Sequence, residues 1–504
     1  MQKNILEYLE NTVQKFPNKI AIIDQNNSIT FSDLQKKSQN IAAYLQSKCI
    51  DKNLPIGVFL PKSIDAIESF FGILYNNDFY VPIDTKNPNI RVKSIIKNIG
   101  IKYIITDSKH VNLLNDFDVE IILLEDIKLE KKLKFDYKNF NLSIDTDILH
   151  VLNTSGSTGV PKGVTISHRS IIDYIDWIVN EYKYDHNLII GNQSPLNFDI
   201  STSDIFMMLA TGAKLILIDE KLFMFPLKLI EFLEREKINF IFWVPSILSS
   251  IAKFDLLKNK NLDIKNVWFG GELMPTKHFK YWKKNIPDAI YVNTGGATEV
   301  GVVCTHYKVD REFNDDEILP IGHPCKNMEA FILDNNNHII TNFNTVGELC
   351  IRGSALAIGY YNNPDKTAES FIQNPLNKAY AEKIYRTGDL AYYNDRGELM
   401  YKGRKDFQIK HMGYRIELGE IETAILGING IDNACVLYDT EIKSIVLIYE
   451  TTLEIGQKDI LLGLHSKLPK YMLPSKCIKL DSMPLNVNGK IDRNKLKGLI
   501  NSAI

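Results

Sequence analysis

The sequence has no excess of charge of either sign. Its 59 lysines and arginines nearly balance its 61 aspartates and glutamates, which leaves a formal net charge of −2. A protein of this composition has no overall positive field with which to hold a phosphate backbone. Nucleic acid is therefore not an expected partner.

Cysteine is scarce and long apolar runs are absent. The six cysteines lie far apart, without the paired spacing of a zinc site or a redox motif. The most apolar windows, such as 240–248, are too short to cross a bilayer, and the first residues mix charges with Leu6, Leu9 and Val13 at helical spacing, unlike a signal peptide. We therefore expect a cytoplasmic protein with reduced thiols and no membrane contact.

The sequence does contain a regular alternation of short β-branched runs and helical patterns. The runs at 20–24, 56–60 and 103–106 are separated by segments in which apolar residues recur every three or four positions. Such alternation is typical of parallel sheets covered by helices. We predict an α/β fold in which doubly wound sheets with helices, and a small β subdomain, make up a large N-terminal region.

At 504 residues the chain exceeds the size of one hydrophobic core, so at least two domains are expected. The pattern changes after about Tyr401, where a charged stretch precedes short strands and helices. We predict a domain junction there, with a large N-terminal domain at 1–403, a connecting segment at 404–406 and a small α+β domain at 407–504.

A loop dense in glycine and hydroxyl residues follows a strand-like run at 149–152. It reads Asn153-Thr-Ser-Gly-Ser-Thr-Gly-Val-Pro-Lys-Gly-Val164. Glycines let backbone N–H groups approach an anion, while the hydroxyls and Lys162 add donors and charge. It is not a Walker loop, because Gly163 stands where that motif has Ser or Thr. By itself the loop fits a phosphate site and an ordinary turn equally well.

Further motifs follow in order along the chain. Together with the loop they resemble the adenylate-forming superfamily over essentially the whole sequence, and within it the amino-acid-activating branch of D-alanine–carrier protein ligases and nonribosomal peptide synthetase adenylation domains. The motifs are Tyr80-Val-Pro-Ile-Asp84, Asn293-Thr-Gly-Gly-Ala-Thr-Glu299, Gly347-Glu-Leu-Cys-Ile-Arg-Gly353, Tyr385-Arg-Thr-Gly-Asp-Leu390, Gly403-Arg-Lys-Asp406 and Asn488-Gly-Lys-Ile-Asp492.

The resemblance implies ATP-dependent adenylation of a small amino acid, with release of pyrophosphate, and transfer to the phosphopantetheine thiol of a carrier protein. The attacking carboxylate is already ionised, so the enzyme has to supply charge stabilisation and positioning. The chain starts without a condensation-like module and ends soon after the lysine motif, so we expect the carrier to be a separate chain. Alternatives are an acyl-CoA synthetase for a non-amino acid and a catalytically inactive nucleotide-binding relative.

By resemblance, Lys490, Glu299 and Thr158 are the catalytic residues, and Glu299 and Thr158 hold Mg²⁺. Taken alone, Lys490 would suit a solvated surface lysine, and Glu299 a surface acid. Lys490 is also expected to contact both ATP and the amino acid. The remaining expected ATP-binding residues are Thr154, Ser155, Gly156, Ser157, Thr158, Gly159, Lys162, Asn293, Thr294, Gly295, Gly296, Ala297, Thr298, Asp389, Tyr401 and Arg404.

Asp389 is expected to accept both ribose hydroxyls, with Arg404 in the same region, although an acid after Gly388 also suits a turn. Asp406 is the expected hinge residue about which the small domain swings. The swing would bring the basic segment 410–415 to the thiol, where it would suit an acidic carrier protein. A solvated basic face is the plainer interpretation of that segment.

Asp199, in Asn197-Phe-Asp-Ile-Ser201, is expected to bind the substrate's α-ammonium. A buried carboxylate without a cation would be costly, which favours an amino acid over a plain acid. Asp199 also suits a helix cap, because Ser201 and Asp204 follow it. The other expected amino-acid contact is Val302, and Trp268 could restrict the pocket to a short side chain. Further pocket positions by resemblance are Ile200, Ser203, Gly270, Thr294 and Val303.

One departure from the family pattern concerns adenine. Most relatives have tyrosine at the position of Gly295 and proline at that of Ala297, so the usual stacking surface is missing. We hypothesise that another aromatic ring, or the backbone of Gly295 and Gly296, covers the base. Which amino acid is used, and in which configuration, is left open by these residues.

Overall fold

The computed structural model describes residues 2–25, 27–48, 52–130, 133–156, 160–484 and 491–502. They separate into two units. The first consists of Met1–Thr85, Ile99–Leu152 and Val164–Lys405, and the second of Lys86–Asn98, Asn153–Gly163 and Asp406–Ile504. The domain bounds and hinge given above stay a prediction.

The strands vary in length from two to eleven residues. They are β1 Ile20–Asp24, β2 Asn27–Thr30, β3 Pro55–Val58, β4 Phe79–Pro82, β5 Tyr103–Thr106, β6 Glu120–Leu123, β7 Ile148–Thr154, β8 Lys162–Ser167, β9 Ile189–Asn192, β10 Lys214–Leu217, β11 Phe240–Trp243, β12 Asn266–Gly270, β13 Ile290–Gly295, β14 Thr305–Lys308, β15 His323–Pro324, β16 Met328–Leu333, β17 Gly347–Gly353, β18 Gly359–Tyr360, β19 Phe371–Gln373, β20 Lys383–Tyr393, β21 Leu399–Arg404, β22 Gln408–His411, β23 Tyr414–Glu417, β24 Asn433–Asp439, β25 Ser444–Glu450 and β26 Lys476–Leu480.

The α-helices alternate with the strands through most of the chain. They are α1 Glu7–Lys15, α2 Phe31–Ser47, α3 Ile64–Tyr75, α4 Asn89–Ile99, α5 Leu124–Leu129, α6 Lys138–Leu142, α7 His168–Tyr182, α8 Asp199–Thr211, α9 Pro226–Glu236, α10 Pro245–Lys253, α11 Thr276–Asn285, α12 Pro364–Ser370, α13 Leu418–Leu426, α14 Gln457–His465 and α15 Arg493–Ser502. None of the helices in the described part of the chain is long and apolar enough to cross a membrane.

The first unit contains two large sheets. One has the strand order β15-β14-β13-β12-β11-β9-β10-β1-β2, and its strands from β13 to β1 pair in parallel. The other has the order β18-β8-β7-β4-β3-β5-β6, with β3 parallel to both of its neighbours. Parallel neighbours that are not consecutive in the chain need crossover connections, which the helices provide.

Smaller sheets complete the two units, and among the described strands of these sheets only β25 and β26 pair in parallel. In the first unit, β16, β17, β20 and β19 form a sheet to which β21 is added at β20. The second unit contains the hairpin β22–β23 and the sheet β24-β25-β26 beside helices α13 and α14. This mixture of strands and helices follows the charged stretch, as the change in sequence pattern indicated.

Several segments fold as their patterns predicted. The β-branched runs at 20–24 and 103–106 are β1 and β5 with the same bounds, and the run at 56–60 overlaps β3. Polar side chains cap some of the intervening helices: Thr30 accepts a hydrogen bond from the N–H of Asp33 at the start of α2, and Ser63 accepts from Ala66 at the start of α3. Capping of this kind satisfies N–H groups that have no partner within the helix.

The ends of two parallel strands position the candidate site. Strands β12 and β13 are neighbours, and Gly270 at the end of β12 pairs with Thr294 near the end of β13. Trp268 and Val292 on these strands are fully buried in the larger apolar core. The core therefore fixes the strand ends, where ligands bind in open α/β sheets.

Candidate active site

Asp199 is the first residue of helix α8 and is half-buried. Its Oδ2 accepts a hydrogen bond of 2.8 Å from the hydroxyl of Thr298, and its Oδ1 accepts one from the backbone N–H of Ile200. The N-cap position belongs to Phe198, so Asp199 does not cap the helix in the usual manner. Its carboxylate instead connects α8 with the turn that contains Thr298.

Glu299 lies next to Thr298 and is completely buried. Its Oε1 accepts a hydrogen bond of 2.8 Å from the hydroxyl of Tyr360 on β18, and its backbone carbonyl accepts one from Ala357. The predicted amino-acid residue Asp199 and the predicted metal residue Glu299, a hundred positions apart in sequence, are thus joined through Thr298. Carboxylate and hydroxyl oxygens are donors that suit Mg²⁺.

Gly295, one of the two departures from the family pattern, and its neighbour Gly296 stand where packing leaves no room for a side chain. Gly295 ends β13 opposite Thr305, and a Cβ at Gly295 would overlap the Thr305 hydroxyl. A Cβ at Gly296 would overlap the carbonyl oxygen of Val302. The buried Thr305 hydroxyl has no hydrogen-bond partner among the described residues. The side of Gly295 where a tyrosine would begin is therefore occupied by Thr305 and is not an empty slot.

The close approach of the Val302 backbone to Gly296 leads to a testable prediction. We expect Gly296→Ala to lower the free energy of unfolding by about 2 kcal/mol, because the added methyl group must displace the backbone of Val302. Chemical denaturation would measure the loss. Gly498→Ala is the matched control, since a Cβ at Gly498 meets nothing within 4 Å. Equal stability of both variants would contradict the packing argument.

Asp389 and Arg404, predicted to lie at the ribose, are brought together by strand pairing. They are directly opposite each other on β20 and β21. Arg404 donates from Nη1 to Oδ1 of Asp389 at 2.6 Å, and the N–H of Asp389 is held by the hydroxyl of Thr387. The arginine therefore fixes one carboxylate oxygen of Asp389. Tyr401 is also on β21 and is half-buried.

Other predicted nucleotide and pocket residues surround the ends of β12 and β13. The amide of Asn293 donates to the backbone carbonyl of Pro320 at 2.7 Å. The hydroxyl of Thr294 donates to the backbone carbonyl of Phe269. Ala297 precedes the short helical turn of Thr298, and Val302 is buried. A Cβ at Gly270 would overlap the Thr294 hydroxyl, so Gly270 has to be glycine in this arrangement.

Trp268, expected to limit the pocket, is fully buried in an aromatic cluster. Its indole N–H donates to the hydroxyl of Tyr184 at 2.9 Å, and its ring packs edge-on against Tyr182. Ser203 is fully buried as well and shares a hydrogen bond of 2.8 Å with the hydroxyl of Tyr174. Both side chains are therefore fixed by partners that sequence reasoning did not identify.

Asp204 is the second acid of α8, and its surroundings differ from those of Asp199. It is completely buried and accepts a hydrogen bond from the amide of Asn192 at 2.9 Å. Burial raises the pKa of Asp204 to about 8, against the opposing effects of Asn192 and Lys62. At neutral pH this side chain is therefore largely protonated and carries little charge.

The second unit contains the described part of the predicted phosphate loop. Ser157, Thr158 and Gly159, and the expected catalytic Lys490, lie outside the described residues. Of the rest, the Thr154 hydroxyl donates to the carbonyl of Lys162 at 3.5 Å. A Cβ at Gly156 would overlap the carbonyl of Val160, so the chain returns on itself closely enough to require glycine there.

Two residues of β23, Arg415 and Glu417, contact this loop within the second unit. The hydroxyl of Ser155 donates to the carbonyl of Arg415 at 2.8 Å and accepts from the N–H of Glu417 at 3.2 Å. The ammonium group of Lys162 lies 3.3 Å from Oε1 of Glu417. Lys162 therefore has a carboxylate partner where the sequence predicts a phosphate.

The basic segment 410–415 forms most of a hairpin. Strands β22 and β23 are joined by Met412 and Gly413, and both residues have positive φ. Glycine adopts this backbone conformation readily, whereas methionine adopts it with strain. Met412 is exposed, at 58%. The predicted hinge residue Asp406 accepts a hydrogen bond from the N–H of Gln408, at the base of the hairpin.

Comparison with known proteins places these motifs in one family. The model of the family described as AMP-binding enzyme matches residues 9–361. The chain belongs to this family. It is an ATP-dependent adenylate-forming enzyme of the type found in the adenylation domains of nonribosomal peptide synthetases.

Two relatives illustrate the range of proteins similar to this AMP-binding enzyme. Zwittermicin A synthase ZmaJ of Bacillus cereus is 31% identical over 98% of this chain and 95% of its own length. Gramicidin S synthase 2 of Brevibacillus brevis is 35% identical, again over 98% of this chain, but the chain spans only 11% of that synthase.

Solved structures of adenylating enzymes have the same fold. The adenylation domain AlmE of Vibrio cholerae, in complex with glycyl-adenosine-5'-phosphate, gives a TM-score of 0.86 at 18% identity over 100% of this chain and 98% of AlmE. A double mutant of MenE, the o-succinylbenzoate CoA synthetase of Bacillus subtilis, gives 0.83 at 20% identity over 99% and 98%. The predicted α/β fold class is confirmed.

Several partners of the predicted residues, within one unit or the other, have no signal in the sequence. Tyr360, the partner of Glu299, is the second residue of a two-residue strand without a recognisable motif. Glu417 and Glu420 occur in a stretch that resembles an ordinary helix start. Arg91 is one of three cations in α4, and its ion pair with Glu420 becomes evident only in the fold.

Proposed function

We propose that this enzyme activates a small amino acid as aminoacyl-AMP and transfers it to the phosphopantetheine thiol of a carrier protein. The observation on which the proposal mainly rests is the contact from Asp199 through Thr298 to Glu299. It brings a carboxylate suited to an ammonium group close to one suited to a metal ion. An enzyme that joins an amino acid to a magnesium-bound nucleotide needs both charges together.

In the proposed reaction, Asp199 binds the α-ammonium group and leaves the substrate carboxylate directed away from it. Glu299, held by Tyr360, would be a ligand of the magnesium ion, and such an ion would supply positive charge to offset the negative charge of the phosphates. Asp389, with one oxygen fixed by Arg404, accepts from the ribose. Lys490 stays the predicted residue for stabilising the charge on the α-phosphate and the carboxylate.

A carrier protein is proposed as the second partner. The hairpin of β22 and β23 contains Lys410, His411 and Arg415 beside the exposed Met412. Basic residues around an apolar one suit a carrier protein whose surface is acidic around its phosphopantetheine thiol. AlmE, of the same fold, is an adenylation domain with a bound aminoacyl adenylate, which is consistent with an amino-acid substrate. The expected cytoplasmic location also stays a prediction.

The rival function is that of an acyl-CoA synthetase, because MenE has the same fold and acts with coenzyme A. Exchange of labelled pyrophosphate into ATP, measured across L- and D-amino acids and several plain carboxylic acids, distinguishes the two. We expect exchange with one small amino acid and its close analogues. Exchange only with plain acids would support the rival function, and no exchange with any acid, together with no nucleotide turnover, would indicate the inactive relative.

A further inference from the structure

Glu417 stands at a helix start but does not stabilise it in the usual way. It is the N-cap residue of α13, yet its side chain makes no capping hydrogen bond. It is buried, lies 3.3 Å from the ammonium group of Lys162, and accepts a hydrogen bond from the amide of Gln408. The carboxylate is thus directed at the cation of the predicted phosphate loop and away from its own helix.

A second buried carboxylate lies in the first turn of α13. Glu420 is buried and forms an ion pair with Arg91, which is buried too. Burial raises the pKa of Glu420, whereas Arg91 and the backbone N–H of Gly156 favour its charged form. A backbone N–H in a glycine-rich loop is the kind of donor that holds a phosphate oxygen.

The backbone around Glu417 engages a third donor. The hydroxyl of Ser155 is bound between the carbonyl of Arg415 and the N–H of Glu417. The Ser155 hydroxyl, the Gly156 N–H and the Lys162 ammonium group are all predicted to bind phosphate. In this structure the Ser155 hydroxyl and the Lys162 ammonium group both contact residues of β23.

We propose that the Glu417 carboxylate is an internal anion that occupies the donors of the phosphate loop, and that the β- and γ-phosphates of ATP must displace it in order to bind. Carboxylates and phosphates are both acceptors for charge-assisted hydrogen bonds, so the two compete for the same donors. This inference rests on the proposed function, because it takes the loop to be the phosphate site.

Such competition has a quantitative consequence. If the loop is free of the Glu417 carboxylate for only a tenth of the time, the apparent affinity for pyrophosphate falls roughly tenfold relative to a permanently free loop. When pyrophosphate leaves after adenylation, Glu417 can take its place. Its return would oppose rebinding of pyrophosphate and reversal of the reaction.

The test measures binding of inorganic pyrophosphate with Mg²⁺ to the full chain by calorimetry, with no amino acid present. We expect Glu417→Gln to bind pyrophosphate five- to tenfold more tightly, because glutamine keeps the shape but not the charge. Glu417→Asp keeps the charge but withdraws it from Lys162, so a smaller gain is expected. Glu422→Gln is the matched control, since Glu422 is also on α13 but pairs with Arg493.

Unchanged or weaker pyrophosphate binding by both Glu417 variants would overturn the proposal, and so would an equal gain in Glu422→Gln, which would indicate a general charge effect. Thermal unfolding of each variant checks that it is folded. A merely structural ion pair predicts weaker binding, because its loss would disorder the loop. Since the measurement needs no acid substrate, tighter binding in Glu417→Gln without any exchange activity would refute the proposed function and not this inference.

Discussion

Replacing Asp199 by asparagine is expected to lower kcat/KM for the amino-acid substrate by roughly 100-fold or more. The substitution removes the negative charge that would pair with the α-ammonium group in a partly buried position, a loss on the order of 3 kcal/mol. Asparagine can still accept from Thr298, so the contact with the neighbouring turn is retained. The measurement is pyrophosphate exchange as a function of amino-acid concentration.

Helix α8 provides a control with the same change of chemistry. Asp204→Asn is expected to alter exchange little, because burial raises the pKa of Asp204 to about 8 and its charge is largely absent at neutral pH. If both variants lost activity equally, damage to α8 would explain the result. If Asp199→Asn kept full activity with an amino acid, the α-ammonium role of Asp199 would be wrong.

The same pair of variants also separates the two candidate functions. An acyl-CoA synthetase has no ammonium group to bind, so loss of the Asp199 charge should leave its exchange with a plain acid nearly unchanged. The ratio of exchange rates for an amino acid and its deaminated analogue is therefore more informative than either rate alone. That ratio should fall in Asp199→Asn and stay constant in Asp204→Asn.

The fold class and several elements could be predicted from sequence because they depend on local patterns. Alternating β-branched runs and helical periodicity reflect which faces are buried, so β1 and β5 have the predicted bounds. The resemblance also assigned roles to Asp199, Glu299 and Asp389 without any knowledge of their distances, and these roles stay predictions. Glycine-rich and acidic motifs are recognisable because their chemistry restricts the residues that can replace them.

The partners of those residues could not be predicted, because they come from distant segments. Tyr360 reaches Glu299 only after β18 pairs with β8, and Tyr184 reaches Trp268 across the core. Whether a tyrosine could stand at Gly295 also needed the fold, since the Thr305 hydroxyl from the neighbouring strand lies where its Cβ would be. Sequence motifs name the reacting groups, whereas tertiary packing determines how firmly each group is held.

Replacing Glu299 by glutamine is expected to lower the maximal exchange rate by about 100-fold or more at any Mg²⁺ concentration. Glu299 is completely buried, so a carboxylate at the protein surface cannot take its place. A neutral amide is a poor ligand for a hard divalent cation. A metal ion contributes several kcal/mol by neutralising charge in the transition state, which sets the size of the loss. Exchange would be measured over a Mg²⁺ titration.

Two variants show whether that loss comes from the metal. Tyr360→Phe removes the hydroxyl that holds Glu299 but keeps the carboxylate, so a smaller loss with a higher Mg²⁺ requirement is expected. Glu398→Gln changes another buried glutamate, one that pairs with Arg311, and should leave the Mg²⁺ dependence unaltered. If Glu299→Gln showed the Mg²⁺ dependence and rate of the unmodified enzyme, Glu299 would not be a metal ligand. The buried bond to Tyr360 would then have only a structural role.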